Sequence, residues 1–402
     1  MKTRVALLRG ASLNDAELVS YLPLVDDFDF SFYHNAWRPL PLRVSKVKDC
    51  SLWYSDDLMR LLLPERLRTR VQLELFGTMD VPLRLQSVCA GHQIVHTAET
   101  FTGYTQRAVQ LKQEYGHKVV TTVWENIPFQ YENISHRQRG WKLGTKKRVA
   151  CAGIDHFLVP AESARIALEL EGVPPERISY IGNAVDLQQF QPRPKSYRLH
   201  QQLGIPQHAM IILFVGRLVW EKGVFDLLEA FGLLWRTGRM EADTHLVYAG
   251  DPREQVNLEK ERDRLGLAGR VHFQIGKVYA NADTMPTLFN DADIMVLPSV
   301  PLPYWMEQFG VVLIEAMASG IPVIGSSSGA IPEVIGEAGL IFPTHDIQAL
   351  AHCLERLLAS RTLRDELSRK GRLRTENVFS PKAVSGRIRA VYEQVLGDTN
   401  HD

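Results

Sequence analysis

The sequence predicts an α/β protein with two domains, each built around a parallel β-sheet. Short apolar segments alternate with longer amphipathic segments along the chain, which is the pattern of successive β–α–β units. The 402 residues are too many for one hydrophobic core and suit two domains of roughly 150 to 200 residues each. Proline, glutamine and charged residues become frequent towards the end of residues 178–196, which indicates a linker between the domains.

The individual elements follow from the same alternation. In the first half we expect strands at residues 4–10, 94–98, 118–124 and 157–160, with a helix at 105–116. In the second half we expect strands at residues 210–218, 244–250, 270–276 and 293–299, with helices at 223–238, 257–267, 285–292 and 310–320. The economical fold is a pair of Rossmann-like domains, residues 1–185 and 186–378. Ligands of such folds bind at the carboxyl ends of the strands, here in a cleft between the domains.

Composition excludes several classes of protein. Apolar residues make up 45% and charged residues 23%, and the formal net charge is zero, so the molecule as a whole is not built to bind nucleic acid. The four cysteines are far apart, which favours free thiols in a reducing compartment over a zinc site. The first apolar run is too short for a signal peptide, and no stretch reaches 18 apolar residues. We therefore expect a cytoplasmic protein.

Two glutamates lie in an otherwise apolar segment, EQFGVVLIEAMASG, that follows a predicted strand. Glu307 precedes the predicted helix, Gly310 begins it, Glu315 lies one to two turns inside, and Gly320 ends it. A helix start offers free backbone N–H groups to an anion. Glu307 could then accept from the hydroxyls of a neutral group, and Glu315 from a diol such as ribose. The alternative is that both carboxylates only complement the helix dipole, which stabilises a helix by a few tenths of a kcal/mol, about 0.3.

A second loop, in IILFVGRLVWEKGVFDLL, carries two cations between a strand and a helix. Gly216 and Arg217 follow the strand, and Lys222 comes five residues after the arginine. Two cations on a glycine-containing turn suit a diphosphate, whose negative charge grows as it departs. The alternative is a pair of solvated side chains on a surface loop. Both loops would follow parallel strands of one sheet and could face the same ligand.

Five segments, taken together, resemble a known family. VGRLVWEKG, VYAGD, DIMVLPS, EQFGVVLIE and SSSGAIPEV look like the motifs of the retaining glycosyltransferases of family 4, which have the GT-B fold, in that family's order. The family's hinge usually reads Gly-Val-Asp, where this chain has Ala184, Val185 and Asp186. The resemblance covers residues 150–395 closely and the first 150 loosely.

The resemblance implies a hexosyltransferase that moves a sugar from a nucleotide sugar to an acceptor with retention of configuration. It implies no cofactor and no metal ion. Arg217 and Lys222 in the loop that Gly216 begins would hold the donor diphosphate, Glu307 the sugar hydroxyls and Glu315 the ribose. Three further residues would bring their backbone near the sugar and phosphate: Gln308, Phe309 and Gly310. The N-terminal domain would bind a sugar or lipid-linked acceptor, and residues 379–402 would form a helix that crosses back to that domain.

The N-terminal half departs from the family pattern. The first strand ends with one glycine, Gly10, where many relatives have Gly-Gly. The position expected to be histidine is Trp124 or Glu125, and His96 and Glu99 end the preceding strand and could line the same cleft. Glu125 could place partial negative charge near the anomeric carbon, or it could be a polar residue of a tight turn. Two other functions stay open: an inactive nucleotide-sugar-binding partner protein and a GT-B nucleotide-sugar epimerase.

Two basic segments suggest a further partner. Residues 136–148 contain six Lys or Arg and no acid, and residues 60–70 combine leucines with arginines. Such segments could contact an anionic membrane surface, which would make the protein peripheral on the inner face of the membrane. The alternatives are a solvated basic surface or a phosphate grip for a charged acceptor.

Overall fold

The computed structural model describes residues 2–10, 15–36, 48–76, 80–128, 140–240, 243–276 and 284–397. The chain divides into two compact units. Unit 1 comprises Met1–Ala184 and Pro381–Asp402, and unit 2 comprises Val185–Ser380. The observed division lies one residue from the predicted boundary at 185/186, and the C-terminal helix belongs to unit 1.

Unit 1 contains a parallel sheet in the order β3-β2-β1-β4-β5-β6-β7. Its strands are β1 (Thr3–Gly10), β2 (Phe28–Asn35), β3 (Lys48–Leu52), β4 (Ile94–Ala98), β5 (Lys118–Thr122), β6 (His156–Val159) and β7 (Ile178–Tyr180). The four strands predicted in this half are β1, β4, β5 and β6. We missed β2 because polar residues separate its buried aromatic residues Phe28, Phe30 and Phe32, so it is not a continuous apolar run.

Unit 1 has eight α-helices within the described residues. They are α1 (Asp15–Leu18), α2 (Ser55–Leu62), α3 (Glu65–Phe76), α4 (Gln86–Gly91), α5 (Gly103–Tyr115), α6 (Gly140–Gly153), α7 (Glu162–Leu170) and, from the end of the chain, α16 (Pro381–Gly397). The helix α16 buries Val384, Ile388 and Tyr392 in the same cluster as Phe28 and Phe30. This spacing of four residues puts its apolar side chains on one face, so burial of that face holds the end of the chain against β1 and β2.

Unit 2 contains a second parallel sheet, in the order β10-β9-β8-β11-β12-β13. Its strands are β8 (Met210–Val215), β9 (Thr244–Gly250), β10 (Val271–Ile275), β11 (Ile294–Leu297), β12 (Val323–Ser326) and β13 (Gly339–Phe342). The chain runs outward from β8 to β10 and then returns to place β11 on the other side of β8. In open parallel sheets, ligands bind beyond the carboxyl ends of the two strands where the order reverses, here β8 and β11.

The helices of unit 2 cover both faces of its sheet. They are α8 (Arg198–Leu203), α9 (Val224–Arg236), α10 (Gln255–Arg264), α11 (Thr284–Asp291), α12 (Val311–Ala318), α13 (Ile331–Ile335), α14 (Ile347–Ala359) and α15 (Arg361–Val378). The strands are apolar along almost their whole length because both faces of the sheet are buried, as in β8 and β9. The two parallel α/β units confirm the predicted pair of Rossmann-like domains. None of the helices within the described ranges is long and apolar enough to cross a membrane.

Candidate functional site

Three loops of unit 2 meet beyond the carboxyl ends of β8, β11 and β12. The loop after β8 contacts the loop after β11 through the Val300 N–H, which donates to the Glu221 carbonyl at 2.9 Å. Gly223 has a φ of +66°, and a Cβ there would lie 1.9 Å from the carbonyl oxygen of Pro298. Only glycine allows this approach without displacing the backbone. The position of β8 beside β11 and this glycine together bring the two predicted loops into contact.

Lys222 and Glu307 form an ion pair across these two loops. The Lys222 Nζ lies 2.6 Å from the Glu307 Oε2, and the Ser299 Oγ donates to the same oxygen at 2.6 Å. The two charged side chains are largely buried, with exposed fractions of 15% and 9%. A buried carboxylate is stable when cationic and hydroxyl donors satisfy it, as they do here. The structure therefore brings one predicted cation and one predicted carboxylate together.

The backbone of Glu307 is held by the loop after β12. The Ala330 N–H donates to the Glu307 carbonyl at 3.0 Å. Gly329 has a φ of +53°, and a Cβ on it would lie 2.0 Å from the same carbonyl oxygen. The segment SSSGAIPEV that the sequence singled out therefore fixes the main chain at Glu307.

Glu315 lies inside α12, whose N-terminal residue follows Gly310. Its carboxyl group is buried, and no donor in the described part of the chain reaches its Oε2. Burial raises the pKa of Glu315 to about 8. A buried carboxyl oxygen with no donor is costly, and a hydroxyl group of a ligand would satisfy it.

Arg217 lies on the same loop as Lys222 and is largely exposed beside Glu221. Its side chain is 54% exposed, and its Nη2 lies 3.7 Å from the Glu221 Oε1. The N–H of Gly216, the residue before Arg217, donates to the Ala249 carbonyl at 2.9 Å. The hydrogen bonding between β8 and β9 therefore extends one residue beyond the end of β8. Arg217 is therefore an exposed cation at the end of β8.

Trp305 was given no role by the sequence. Its ring centroid lies 4.9 Å from the Lys222 Nζ, a cation–π contact. Leu302 and Trp305 exchange two backbone hydrogen bonds, with N–O distances of 2.6 and 3.1 Å, which close a tight turn just before Glu307. Sequence alone offered one signal, an aromatic residue between the strand and the glutamate.

In unit 1, His96 belongs to a buried polar network. It is fully buried; its Nδ1 lies 2.6 Å from the Tyr392 Oη and its Nε2 lies 2.7 Å from the Thr122 Oγ1. Burial, and secondly the charge of Arg9, lowers the pKa of His96 well below its usual value. A neutral imidazole with both nitrogens engaged links β4 and β5 to the C-terminal helix. This burial favours a structural role for His96.

Arg9 was missed by the sequence analysis. Its guanidinium is buried beside the predicted Gly10, is paired with Glu17, and donates to the Tyr21 Oη at 2.7 Å. Burial alone would lower the pKa of Arg9, but the carboxylate of Glu17 and then Tyr21 raise it above its usual value. The available signal was a charged residue at the end of an apolar strand.

Glu99 and Glu125 lie close together at the ends of β4 and β5. The Glu99 Oε1 accepts from the Trp124 N–H at 2.9 Å. Burial, with a smaller contribution from Glu125, raises the pKa of Glu99 to about 8. Burial also raises the pKa of Glu125, against the opposing effect of Lys147. Lys147, a residue that the sequence did not single out individually, is paired with Glu125 and lies 2.7 Å from Glu171.

The two basic segments are described only in part. Residues 136–139 and the side chains of Arg66 and Arg70 lie outside the described residues. In the part of α2 and α3 that is described, several large apolar side chains are exposed, with Leu62 at 79%; the others are Leu58, Leu61, Leu67 and Leu75. Unit 1 therefore has exposed apolar side chains in and next to the basic segment 60–70.

The amino-acid sequence of the chain is similar to that of known proteins. Residues 196–374 match the family described as Glycosyl transferases group 1. This part of the chain is a glycosyltransferase group 1 domain. The chain is 29% identical over 383 residues to an MMP alpha-(1→4)-mannosyltransferase from Mycolicibacterium hassiacum, covering 88% of this chain and 86% of that protein.

Solved structures share the fold over the whole chain. A sucrose-phosphate synthase from Thermosynechococcus elongatus is 21% identical with a TM-score of 0.72, and covers 99% of this chain and 100% of that one. Anabaena HepE in complex with UDP is 17% identical with a TM-score of 0.73, and covers 98% and 100%. These likenesses confirm the predicted GT-B fold.

The glycosyltransferase group 1 domain contains one part of the predicted site. Lys222, Glu307 and Glu315 all lie within the matched residues, as does Arg217. The candidates of the N-terminal half lie outside them: Gly10, His96, Glu99 and Glu125. Among the described residues, no group of three or more His, Cys, Asp or Glu side chains could hold a metal ion.

Proposed function

We propose that this chain is a retaining hexosyltransferase that binds a nucleotide-sugar donor on the three loops of unit 2. The observation that carries the proposal is the Lys222–Glu307 ion pair at the point where the strand order reverses, on the same segment as the buried, unsatisfied carboxyl group of Glu315. This is the position where open parallel sheets bind nucleotides. The mannosyltransferase relative and the UDP complex of a protein with the same fold support the choice of donor class.

Each group has a chemical role in this proposal. The Glu315 carboxyl would accept from the ribose hydroxyls, because its Oε2 has no donor in the described part of the chain. Lys222 and the exposed Arg217 would contact the diphosphate. Glu307 would accept from hydroxyls of the donor sugar. The backbone at the start of α12 would add N–H groups near the sugar and phosphate, from Gln308, Phe309 and Gly310.

The reaction breaks the bond between the anomeric carbon and a diphosphate oxygen. A hydroxyl oxygen of the acceptor forms the new bond on the same face of the sugar, and the departing diphosphate takes the proton of that hydroxyl. Negative charge therefore builds on the diphosphate, and Lys222 and Arg217 stabilise that charge more strongly as the bond breaks. No metal ion and no cofactor is needed in this scheme.

Unit 1 would hold the acceptor, and Glu125 is the candidate there. Its Oε1 is buried and accepts from no donor within the described ranges, while Lys147 pairs with its other oxygen. In the proposed scheme the Glu125 carboxylate places negative charge near the anomeric carbon. Glu125→Gln should then lower turnover while the affinity for the nucleotide stays unchanged. Equal turnover in this variant would remove Glu125 from the mechanism.

A thermal-shift panel tests the proposed donor site. The full chain is mixed with UDP, GDP, ADP and their common sugar conjugates, with and without magnesium. We expect one nucleotide family to raise the melting temperature, with equal shifts in both conditions, because a ligand that binds the folded state stabilises it. If none of these compounds shifts the melting temperature, the donor assignment fails. A shift that requires magnesium would contradict the metal-free scheme.

A second candidate function is an inactive nucleotide-sugar-binding partner of another transferase. The burial of His96 favours it, because both nitrogens of this imidazole, within β4, are already engaged by Tyr392 and Thr122. Turnover of the selected nucleotide sugar, with water or an added acceptor, separates the two functions. Binding without any release of nucleotide would support the partner protein.

We also propose that unit 1 contacts an anionic membrane surface through α2 and α3. Exposed leucines beside arginines suit such a surface, since the leucines enter the interface while cations meet the headgroups. Sedimentation with vesicles of phosphatidylcholine, with and without phosphatidylglycerol, tests this. Leu61→Ser/Leu62→Ser should reduce binding to the anionic vesicles, whereas Leu170→Ser, at a leucine of α7 that is 65% exposed, should not. Binding that neither variant alters would contradict the proposal.

A further inference from the structure

Trp305 occupies a fixed position beside the ion pair. The turn from Leu302 to Trp305 is closed by two backbone hydrogen bonds, and Pro303 within it restricts the backbone further. Trp305 then lies two residues before Glu307. The indole ring is therefore carried by a short, internally bonded turn on the same loop as the glutamate.

The ammonium group of Lys222 lies between a carboxylate and this ring. The Nζ is 2.6 Å from the Glu307 Oε2 and 4.9 Å from the centroid of the Trp305 ring. An ammonium has three N–H groups, and the contact with Glu307 uses one of them. The side chain as a whole keeps an exposed fraction of 15%, so it is not sealed off from a ligand.

An aromatic ring and a carboxylate hold a lysine in different ways. The carboxylate attracts the ammonium and also cancels its charge, which weakens its attraction for a second anion. The ring attracts it through the negative face of its π-system and leaves the full positive charge in place. A lysine side chain is also long and flexible, and a fixed ammonium loses less freedom when a ligand binds.

We propose that Trp305 is a positioning residue that holds the Lys222 ammonium for the diphosphate of the donor. This inference rests on the proposed function. Trp305 need not touch the nucleotide; it acts through Lys222. Its contribution should therefore appear with ligands that carry a diphosphate, disappear with a nucleoside, and depend on the presence of Lys222.

Calorimetric titration of UDP and uridine tests this, with GDP or ADP and their nucleosides used instead if the thermal-shift panel selects them. Trp305→Leu should raise the Kd for the diphosphate about two- to thirtyfold, the range expected for a cation–π contact. Trp305→Phe should raise it less, because phenylalanine keeps an aromatic face. Both variants should bind the nucleoside as the wild type does. In a Lys222→Met background, Trp305→Leu should have no further effect on the Kd.

Trp235 provides the matched control. Its ring also meets a cation, with the Arg270 guanidinium carbon 5.1 Å from its centroid, but it lies at the far end of α9 from the site. Trp235→Leu should leave both affinities unchanged. Melting temperatures of all variants show whether each one is folded. If Trp305→Leu does not fold, the conservative variant Trp305→Phe is measured in its place.

The possible results separate this inference from the proposed function. A wild-type chain that binds none of the three nucleoside diphosphates would overturn the proposed function and this inference with it. A wild type that binds UDP, together with a Trp305→Leu variant of equal affinity, would overturn the inference alone. Equal losses for UDP and uridine, or an undiminished loss in the Lys222→Met background, would also overturn it, because Trp305 would then be only a structural residue.

Discussion

The Lys222 Nζ lies 2.6 Å from the Glu307 Oε2, although 85 residues separate the two along the chain. The pair joins the loops that follow β8 and β11, the two neighbouring strands where the order of the sheet reverses. Both partners are largely buried, and the Ser299 Oγ donates to the same carboxylate oxygen. A charged pair in this position is expensive to desolvate, and removal of one partner is more costly than removal of both.

The first prediction concerns the stability of this pair. Lys222→Met should lower the free energy of unfolding by about 3 kcal/mol, because it leaves the buried Glu307 carboxylate without its ammonium. The double variant Lys222→Met/Glu307→Gln should lose less, since a neutral amide needs no counter-charge. Urea unfolding of the wild type, both single variants and the double variant measures the coupling. A change below about 0.5 kcal/mol in Lys222→Met would show that the pair is solvated in solution.

The second prediction separates the two glutamates. Glu315→Ala should weaken nucleotide binding about two- to tenfold, the range for a hydrogen bond between uncharged groups, because burial raises the pKa of Glu315 to about 8 and the carboxyl group stays protonated near neutral pH. Glu307→Ala should lower turnover of the nucleotide sugar more than affinity for the nucleotide. Glu307 is proposed to contact the donor sugar, and the free nucleotide has no sugar at that position. Calorimetry with the nucleotide and kinetics with the nucleotide sugar give the two quantities. Nearly equal nucleotide affinity in the wild type and Glu315→Ala would contradict the ribose assignment.

The third prediction follows from the buried carboxyl of Glu315. Its pKa is about 8 in the folded chain against 4.5 in its ordinary state, so between these values the folded chain holds a proton that the unfolded chain has lost. The free energy of unfolding should therefore fall as pH rises from about 4.5 to 8, and the loss should be complete above pH 8. The loss should be on the order of a few kcal/mol, since one pKa unit corresponds to about 1.4 kcal/mol.

Glu315→Gln provides the measurement. Urea unfolding at intervals from pH 5 to 9 should show a flatter profile for the variant than for the wild type, with the larger difference at high pH. The pKa of Glu99 is also about 8. The free energy of unfolding of the variant should therefore still fall with rising pH, because of Glu99. Identical slopes in the two proteins would show that Glu315 ionises without cost.

The fourth prediction tests how Glu307 is positioned. Gly329 and Gly238 both have positive φ, at +53° and +64°, so alanine strains the backbone at each by about 1 kcal/mol. Only at Gly329 would the added Cβ clash, at 2.0 Å from the carbonyl oxygen of Glu307, whereas nothing lies within 4 Å at Gly238. Gly329→Ala should therefore lower the melting temperature further than Gly238→Ala and should alone abolish most turnover.

Kinetics and thermal unfolding of these two alanine variants measure both effects. Gly238→Ala should keep the turnover of the wild type. If both variants lose turnover equally, backbone strain and not the contact with Glu307 explains the loss.

The sequence by itself determined the fold class and, in the second half, the strands β8 to β11 and the helices α9 to α12. The central strands β8, β9 and β11 are almost continuous apolar runs because both faces of the sheet are buried there, and β9 was predicted at the bounds that the structure shows. The loops carrying Lys222 and Glu307 and the helix carrying Glu315 could also be predicted, since glycines and charged residues interrupt an otherwise apolar pattern. The strand β2 could not, because polar residues alternate with its buried phenylalanines.

Only the tertiary structure decided which side chains meet. The pairing of Lys222 with Glu307 and Trp305 depends on β8 lying beside β11, which is a property of strand order and not of local pattern. Similarly, His96 was predicted as a cleft residue, but the C-terminal helix brings Tyr392 against it across 296 residues and completes its burial. Local periodicity fixes the elements because burial acts on each segment separately. Contacts between distant residues depend on how those elements are arranged, and the sequence pattern does not contain that information.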